Sequence, residues 1–359
     1  MNVLFIGGTK RGYLTLRALL QSGAQVCGVV SLLQDPHETE RYEEPIRTLA
    51  QSHGVRHYET RALKDRDYAQ LIANEMKPDV AFVVGCRVLL PRKIYRIPRL
   101  GALAVHDSLL PNYRGFAPLN WAIVNGETQT GVTLFYLDDR MDGGDIVSQK
   151  AVEISPTETA MEVYERICAK TTELVLQAHS ELCAGRAPRV PQDYDAGSFT
   201  CSRTPDDGFI DWTASTLEIY NRIRALAHPY PGAFTFYGGE KLIIWAAIPG
   251  ASRKYVGRVA GRVVAVSEAE GYVEVLTGDG ILRLLEVQWD GQGRMPAASV
   301  IKSVKSSLGV TPTEILARIK ALESQIHAFV QSRNDSAGAG GPLPAGNPFS
   351  NVNSATEDK

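Results

Sequence analysis

One histidine stands where chemistry would be expected. His106 ends a short apolar run, Ala102-Leu103-Ala104-Val105. An imidazole at the carboxyl end of a buried strand can give or take a proton near neutral pH. The segment after it carries Pro111, Gly115 and Pro118, the constrained residues of a shaped ligand loop. A second turn, Met141-Asp142-Gly143-Gly144-Asp145, supplies two carboxylates. These could orient the imidazole or accept a proton. They could equally do no more than close an Asx turn. Spacing alone leaves catalysis and structure level.

Other chemistries find less support. Gly7-Gly8 with Gly12 resembles a dinucleotide fingerprint, but the spacing is not G-x-G-x-x-G, and no acid closes the second strand at Val30-Ser31. A tight strand-to-helix turn needs the same small residues. The helix start there could still meet an anion. Cys27, Cys86, Cys168, Cys183 and Cys201 form no C-x-x-C pair, so neither a zinc site nor a dithiol is indicated. Five widely spaced cysteines fit reduced thiols in a cytoplasm. The net charge of −2 gives no global reason to hold nucleic acid or an anionic membrane. No apolar run approaches the roughly 20 residues of a membrane span.

The elements that must position His106 follow from hydrophobic period. Short apolar runs at 3–6, 25–30, 55–58, 79–84 and 102–105 read as strands, with helical spacing at 12–22, 42–53 and 68–76 between them. That alternation predicts an α/β fold, a doubly wound parallel sheet whose ligands gather at the strands' carboxyl ends. A helix is expected at 115–125, strands at 132–137 and 146–152, and a long helix at 160–182. Residues 1–187 form the expected first domain and 188–205 a linker. Residues 206–305 carry a helix near 215–227 and alternating strands at 233–237, 241–246, 256–266, 272–277 and 281–288, the pattern of a small β-barrel, OB-like domain. Residues 306–333 hold an amphipathic helix whose apolar stripe would allow a homodimer contact. Residues 334–359, rich in Ser, Gly, Pro, Ala and Asn, read as a disordered tail.

The central segment resembles the folate-dependent formyltransferase family. The resemblance rests on Ser108-Leu109-Leu110-Pro111-Asn112-Tyr113-Arg114-Gly115, Ala117-Pro118-Leu119-Asn120-Trp121, Asn125-Gly126-Glu127-Thr128, Thr130-Gly131-Val132-Thr133 and the Asp142 turn. It extends to Arg203-Thr204-Pro205-Asp206-Asp207, Ile210-Asp211-Trp212 and Pro231-Gly232-Ala233-Phe234, and so covers roughly residues 1 to 305. It implies catalytic His106, as donor to the developing oxyanion, and Asp142, which orients His106 or assists proton removal from the amine, with 10-formyltetrahydrofolate as co-substrate near Arg87, Val88, Leu89, Leu90, Asp138 and Asp139. It further implies acceptor contacts from Ser108, Tyr113, Arg114 and Asn120, with no metal. The family's asparagine, two residues before the histidine, is here Ala104. That asparagine would donate to the oxygen of the attacked formyl group, a bond typically worth about 2.7–4 kcal/mol. Asn120 or Asn112 could replace the donor, the enzyme could run slowly, or transfer could be lost with binding kept.

For the acceptor, the acid-rich stretch from Gln34 to Glu44 would repel a nucleic-acid backbone and argues against tRNA. Ala117-Pro118-Leu119-Asn120-Trp121 resembles the amino-sugar enzymes. The expected reaction is therefore formylation of a small amine, a nucleotide-linked amino sugar. An amino-acid-derived amine, methionyl-tRNA, hydrolysis of the formyl-folate, and silent folate binding are the alternatives. A nicotinamide oxidoreductase has only Gly7-Gly8 behind it.

Overall fold

The computed structural model describes residues 1–33, 40–61, 63, 68–86, 88–251 and 253–337. Two expectations therefore fall outside the described residues: the contact at Arg87, and the structure of 34–39, the core of the acid-rich stretch. Most of the expected tail, 338–359, also falls outside.

Met1–Gly309 is one compact unit. Its first half runs β1 (Asn2–Gly7), α1 (Thr9–Gln21), β2 (Gln25–Leu32), α2 (Glu43–Ser52), β3 (His57–Thr60), α3 (Tyr68–Leu71), β4 (Val80–Val84), α4 (Arg92–Tyr95), β5 (Ala102–His106), β6 (Arg114–Gly115), α5 (Pro118–Val124), β7 (Gln129–Tyr136), β8 (Ile146–Glu153) and α6 (Ala160–Cys183). The strand order is β3-β2-β1-β4-β5-β7-β8. The first five strands are parallel, and β7 and β8 join antiparallel. Val3–Ile6 of β1 and the whole of β4 are apolar because both faces are covered. Chain order reverses between β1 and β4, the switch point beside which such sheets bind ligands.

Gly7 shows which reading of the glycine-rich start the packing requires. A Cβ there would lie 1.9 Å from the Val84 carbonyl oxygen, so the ends of β1 and β4 approach too closely for a side chain. The long helix α6 begins with a capping box. Glu162 accepts from the Thr159 amide at 2.7 Å, worth about 1 kcal/mol.

The second half adds β9 (Phe199–Thr200), α7 (Thr216–Ala225), β10 (Ala233–Tyr237), β11 (Glu240–Pro249), β12 (Val263–Ser267), β13 (Tyr272–Leu276), β14 (Ile281–Trp289), β15 (Met295–Pro296) and α8 (Ala297–Val300). Strands β10-β11-β14-β13-β12 form an antiparallel sheet, with β15 paired to β14. Gly238 and Gly239, with φ of 61° and 82°, make the two-residue turn between β10 and β11 that only such conformations allow. Trp212, Ile219 and Ile223 pack on Leu242, Ile244, Val273 and Leu282 to form this half's own core.

The halves are tied by polar bonds that the sequence did not announce. Asn120 Nδ2 on α5 donates to the Ala225 carbonyl at 2.7 Å, and Arg224 Nη1 donates to the Glu158 carbonyl at 2.8 Å. Val310 onward is a separate unit, whose described part is helix α9 (Pro312–Ala337). Among the described residues no helix is long and apolar enough to cross a membrane.

Two local expectations shift. The helix expected at 115–125 begins only at Pro118. Arg114 and Gly115 pair with β9 instead, and Ala117 is left-handed at φ 47° ahead of a proline suited to the first helical turn. The strand expected at 256–266 shortens to β12, because the chain turns through Gly261 at φ 79°. The expected linker is also more than a tether, since β9 lies within it.

Candidate active site

His106 is the last residue of β5 and is buried. Side chains two apart share a face, so Ala102, Ala104 and His106 point to one side of the sheet. Leu103 and Val105 enter the core on the other side. The loop after His106 is fastened from below by β7 and β8. Thr133 Oγ1 donates to the Ser108 carbonyl at 2.7 Å and accepts from the Leu110 amide at 3.1 Å. Gln149 Nε2 donates to the Leu110 carbonyl at 2.8 Å. Ser108 Oγ closes the loop on itself by donating to the Asn112 carbonyl at 2.6 Å. The loop thereby presents the Tyr113 carbonyl to His106 Nε2 at 2.7 Å.

Asp142 arrives from farther away. Strand β7 leaves the sheet beside the start of β5, where the Leu137 amide donates to the Ala102 carbonyl. The chain then runs back along the strand, about 13 Å for four residues, to set Asp142 Oδ2 3.6 Å from His106 Nδ1. Three features hold the turn. Gly144 lies so close to the Tyr136 carbonyl oxygen that a Cβ would stand 1.8 Å from it. Asp142 takes a left-handed φ of 48°. Gln192 Nε2 donates to the carbonyls of Asp142 and Gly144 at 2.9 and 2.7 Å. The same Asp142 oxygen accepts the Gly115 amide at 2.8 Å.

Nε2 faces a carbonyl oxygen, which can only accept, so this nitrogen carries the proton and Nδ1 keeps its lone pair. Burial pushes the His106 pKa below its ordinary value. Asp142 and the Tyr113 carbonyl oppose this, and Arg11 and Arg114 reinforce it. The imidazole is therefore neutral at pH 7, with Nδ1 available as a proton acceptor beside a carboxylate. This geometry differs from an expectation of His106 as the donor to a developing oxyanion. In this orientation the donating nitrogen is already committed.

The other expected site residues divide. Ser108 and Tyr113 belong to the loop that holds His106. Val88, Leu89 and Leu90 follow the end of β4, which lies beside β5 through the Val83–Ala104 pair. Leu89 is 79% exposed there. The carboxylates of Asp138 and Asp139 are already engaged, Asp138 by Arg140 and Asp139 by Tyr95, Arg96 and Arg92. What that turn offers a ligand is main chain.

Arg114 and Asn120 are bonded inside the protein. Arg114 is fully buried. Its Nη1 donates to the Tyr194 carbonyl and its Nη2 to Gln192 Oε1, both at 2.8 Å, and its guanidinium stacks 4.3 Å from the Tyr194 ring. It anchors the segment that holds the Asp142 turn. Asn120 Nδ2 is held by the Ala225 carbonyl of α7. Asn112 is exposed and stands on the rim of a cleft of about 590 Å³.

Sequence reasoning missed Arg11, Asp107, Thr133, Gln149 and Gln192. Arg11, in the first turn of α1, forms a buried ion pair with Asp107, the residue after His106. A basic residue just past a glycine turn and an acid beside the histidine were the only signals. Nothing in the sequence paired them.

Comparisons with known proteins agree with this architecture. The Formyl transferase family profile matches residues 1–179, and the Formyl transferase, C-terminal domain profile matches 203–305. The methionyl-tRNA formyltransferase of Symbiobacterium thermophilum is 36% identical over 306 residues, 84% of this chain and 92% of that protein. That of Alkaliphilus oremlandii is 32% identical over 297 residues, 82% and 94%. Among solved structures, an N-formyltransferase from Helicobacter canadensis in complex with folinic acid and dTDP-3-aminofucose superposes with TM-score 0.59 at 18% identity, covering 79% of this chain and 97% of that one. HypX from Aquifex aeolicus in complex with tetrahydrofolic acid gives 0.57 at 19%, covering 84% of this chain and 47% of that one. At these identities the structures speak for the fold. The sequence relatives, matched across both halves, decide the family. The chain belongs to the formyltransferase family, whose formyl donor is 10-formyltetrahydrofolate.

Proposed function

We propose that this enzyme transfers the formyl group of 10-formyltetrahydrofolate to the primary amine of a small acceptor, a nucleotide-linked amino sugar, with His106 as proton acceptor. The observation that carries the reading is the placement of the His106 ring, with Nε2 2.7 Å from the Tyr113 carbonyl and Nδ1 turned to Asp142 at 3.6 Å. The amine lone pair attacks the formyl carbon and a C–N bond forms. His106 Nδ1 takes the amine proton, and Asp142 stabilises the imidazolium that results. Collapse of the tetrahedral adduct breaks the bond from carbon to the folate nitrogen, which recovers the proton. No covalent enzyme intermediate is required.

The donor fits the ligand end of the sheet. An exposed Leu89 beside the half-buried Val88 and Leu90 offers an apolar platform for a flat ring, and the main chain of the Asp138–Asp142 turn offers hydrogen bonds. Methyl-bearing Ala104 faces the same side as His106 and supplies no donor for the oxyanion.

A small acceptor is supported by the cleft beside the His106 loop. Its volume of about 590 Å³ is of small-molecule size, and it shares Tyr113 with the His106 loop. Methionyl-tRNA is the second reading. The relatives at 32–36% identity carry that name and align with both halves of this chain. The acid-rich stretch from Gln34 to Glu44 accordingly does not weigh against tRNA.

The test is turnover of 10-formyltetrahydrofolate with dTDP-3-aminofucose, amino-acid-derived amines or methionyl-tRNA, against an amine-free control. Formylated product is read by mass spectrometry. A formylated sugar supports the first reading, and formylated methionyl-tRNA alone replaces it with the second. Formate from the control alone would make the protein a hydrolase.

A further inference from the structure

We propose that the cleft beside the His106 loop is a subsite for one hydroxylated ring, stacked on Trp121 and read by Glu127, with any phosphate groups of the acceptor left outside. The proposal rests on the small-acceptor reading above.

The cleft is built from two segments that the fold brings together: the turn and helix carrying Tyr113, Trp121, Asn125 and Glu127, and the β9 segment through Thr200 and Cys201. Trp121 is fixed as a platform. Its Nε1 donates to the Cys201 carbonyl at 3.0 Å, and the Arg203 guanidinium lies 5.1 Å from its ring. A flat aromatic face held in this way suits the C–H face of a sugar or another ring.

The polar wall has a direction. Asn125 Nδ2 donates to Tyr113 Oη at 3.2 Å, and Tyr113 Oη donates to Glu127 Oε1 at 2.7 Å. Only one carboxylate oxygen is used in this chain of bonds. Glu127 Oε2 has no bond to a described residue and is left as an acceptor for a hydroxyl. Chains of this kind strengthen one another. Tyr113 links the wall to the chemistry, because its carbonyl holds His106 Nε2. Occupancy of the cleft and placement of the imidazole therefore share one residue.

The charge of the lining excludes the other obvious occupant. Glu127 is the single charged residue among the lining residues, and no cation is among them. A diphosphate placed there would meet the Glu127 carboxylate, while Arg203, 5.1 Å from the Trp121 ring, does not line the cleft. Nucleotide phosphates are thus expected beyond the rim.

Cys201 lines the cleft and is exposed, whereas Cys183, on α6, is exposed elsewhere. Alkylation of the two thiols by iodoacetamide, followed peptide by peptide, reads occupancy without any turnover. Saturating dTDP-3-aminofucose and free 3-aminofucose should each slow Cys201 at least about tenfold while Cys183 is unchanged, and dTDP alone should leave both unchanged. In turnover, Glu127→Gln and Trp121→Ala should raise the acceptor KM about tenfold or more, the worth of a bond to a charged group. The KM for 10-formyltetrahydrofolate should hold, and Trp121→Phe should recover most of the loss. Protection by dTDP alone, no protection by either sugar, or an unchanged acceptor KM overturns the proposal. If methionyl-tRNA is formylated and no sugar protects Cys201, the subsite falls and formyl transfer stands. If sugars protect Cys201 and no amine is formylated, the transfer reading falls and the subsite stands.

Discussion

Replacing Asp142 by asparagine isolates the charge of the site from its shape. Asparagine keeps the size, tolerates the left-handed φ of 48°, and still offers an oxygen to the Gly115 amide, which Asp142 Oδ2 accepts at 2.8 Å. What it removes is a negative charge 3.6 Å from His106 Nδ1. Two unit charges at that separation interact by about 4.6 kcal/mol at an effective dielectric near 20. The Asp142 side chain is 21% exposed, so solvent trims this to roughly 3–4 kcal/mol. The attraction exists only after His106 has taken the amine proton, so the loss falls on the transition state. The expected outcome is a fall in kcat of about 10²- to 10³-fold with both KM values within a few-fold. Single-turnover formation of formylated product measures it, with circular dichroism and Tm confirming the fold. A variant that keeps kcat within about threefold of the parent would refute the assignment of His106 as proton acceptor, because no other described residue was given that charge to stabilise.

Ala104→Asn should raise kcat, by up to about 10²-fold if the new amide reaches the oxyanion. Some stability is lost, because Ala104 packs in the core with Val83, Leu110 and Phe135; a kcat that falls with an intact fold counts against a missing donor. His106 has a depressed pKa, so it adds stability above its unfolded value near 6.5 and loses it as the pH falls toward the folded value. Denaturation between pH 5 and 8 should show proton uptake on unfolding at the acid end, and His106→Gln should flatten that slope. Asn120→Ala leaves the buried Ala225 carbonyl without its 2.7 Å partner and should destabilise the compact unit by about 1–3 kcal/mol, read as a lower urea midpoint.

The sequence by itself determined the alternation of buried strands and helices and the change to short alternating strands past residue 206, while it named His106 and Asp142 together only through the family resemblance. Hydrophobic period reports burial locally, and constrained loop residues crowd where a ligand is met, so both were legible without a fold. The family resemblance was legible for the same reason: its phrases are contiguous loops. Tertiary structure alone decided which loop residues are bonded inside the protein. Arg114 and Asn120 look like binding residues in sequence, yet they hold the 192–194 segment and α7. Arg11 lies far from Asp107 in the chain and meets it only because α1 begins where β5 ends, at one edge of the sheet. The tautomer of His106 depends on a carbonyl seven residues away, turned inward by bonds from Thr133 and Gln149. A polar side chain's partner is fixed by three-dimensional geometry at distances near 3 Å. Spacing along a chain carries no such information once the contacts are long-range.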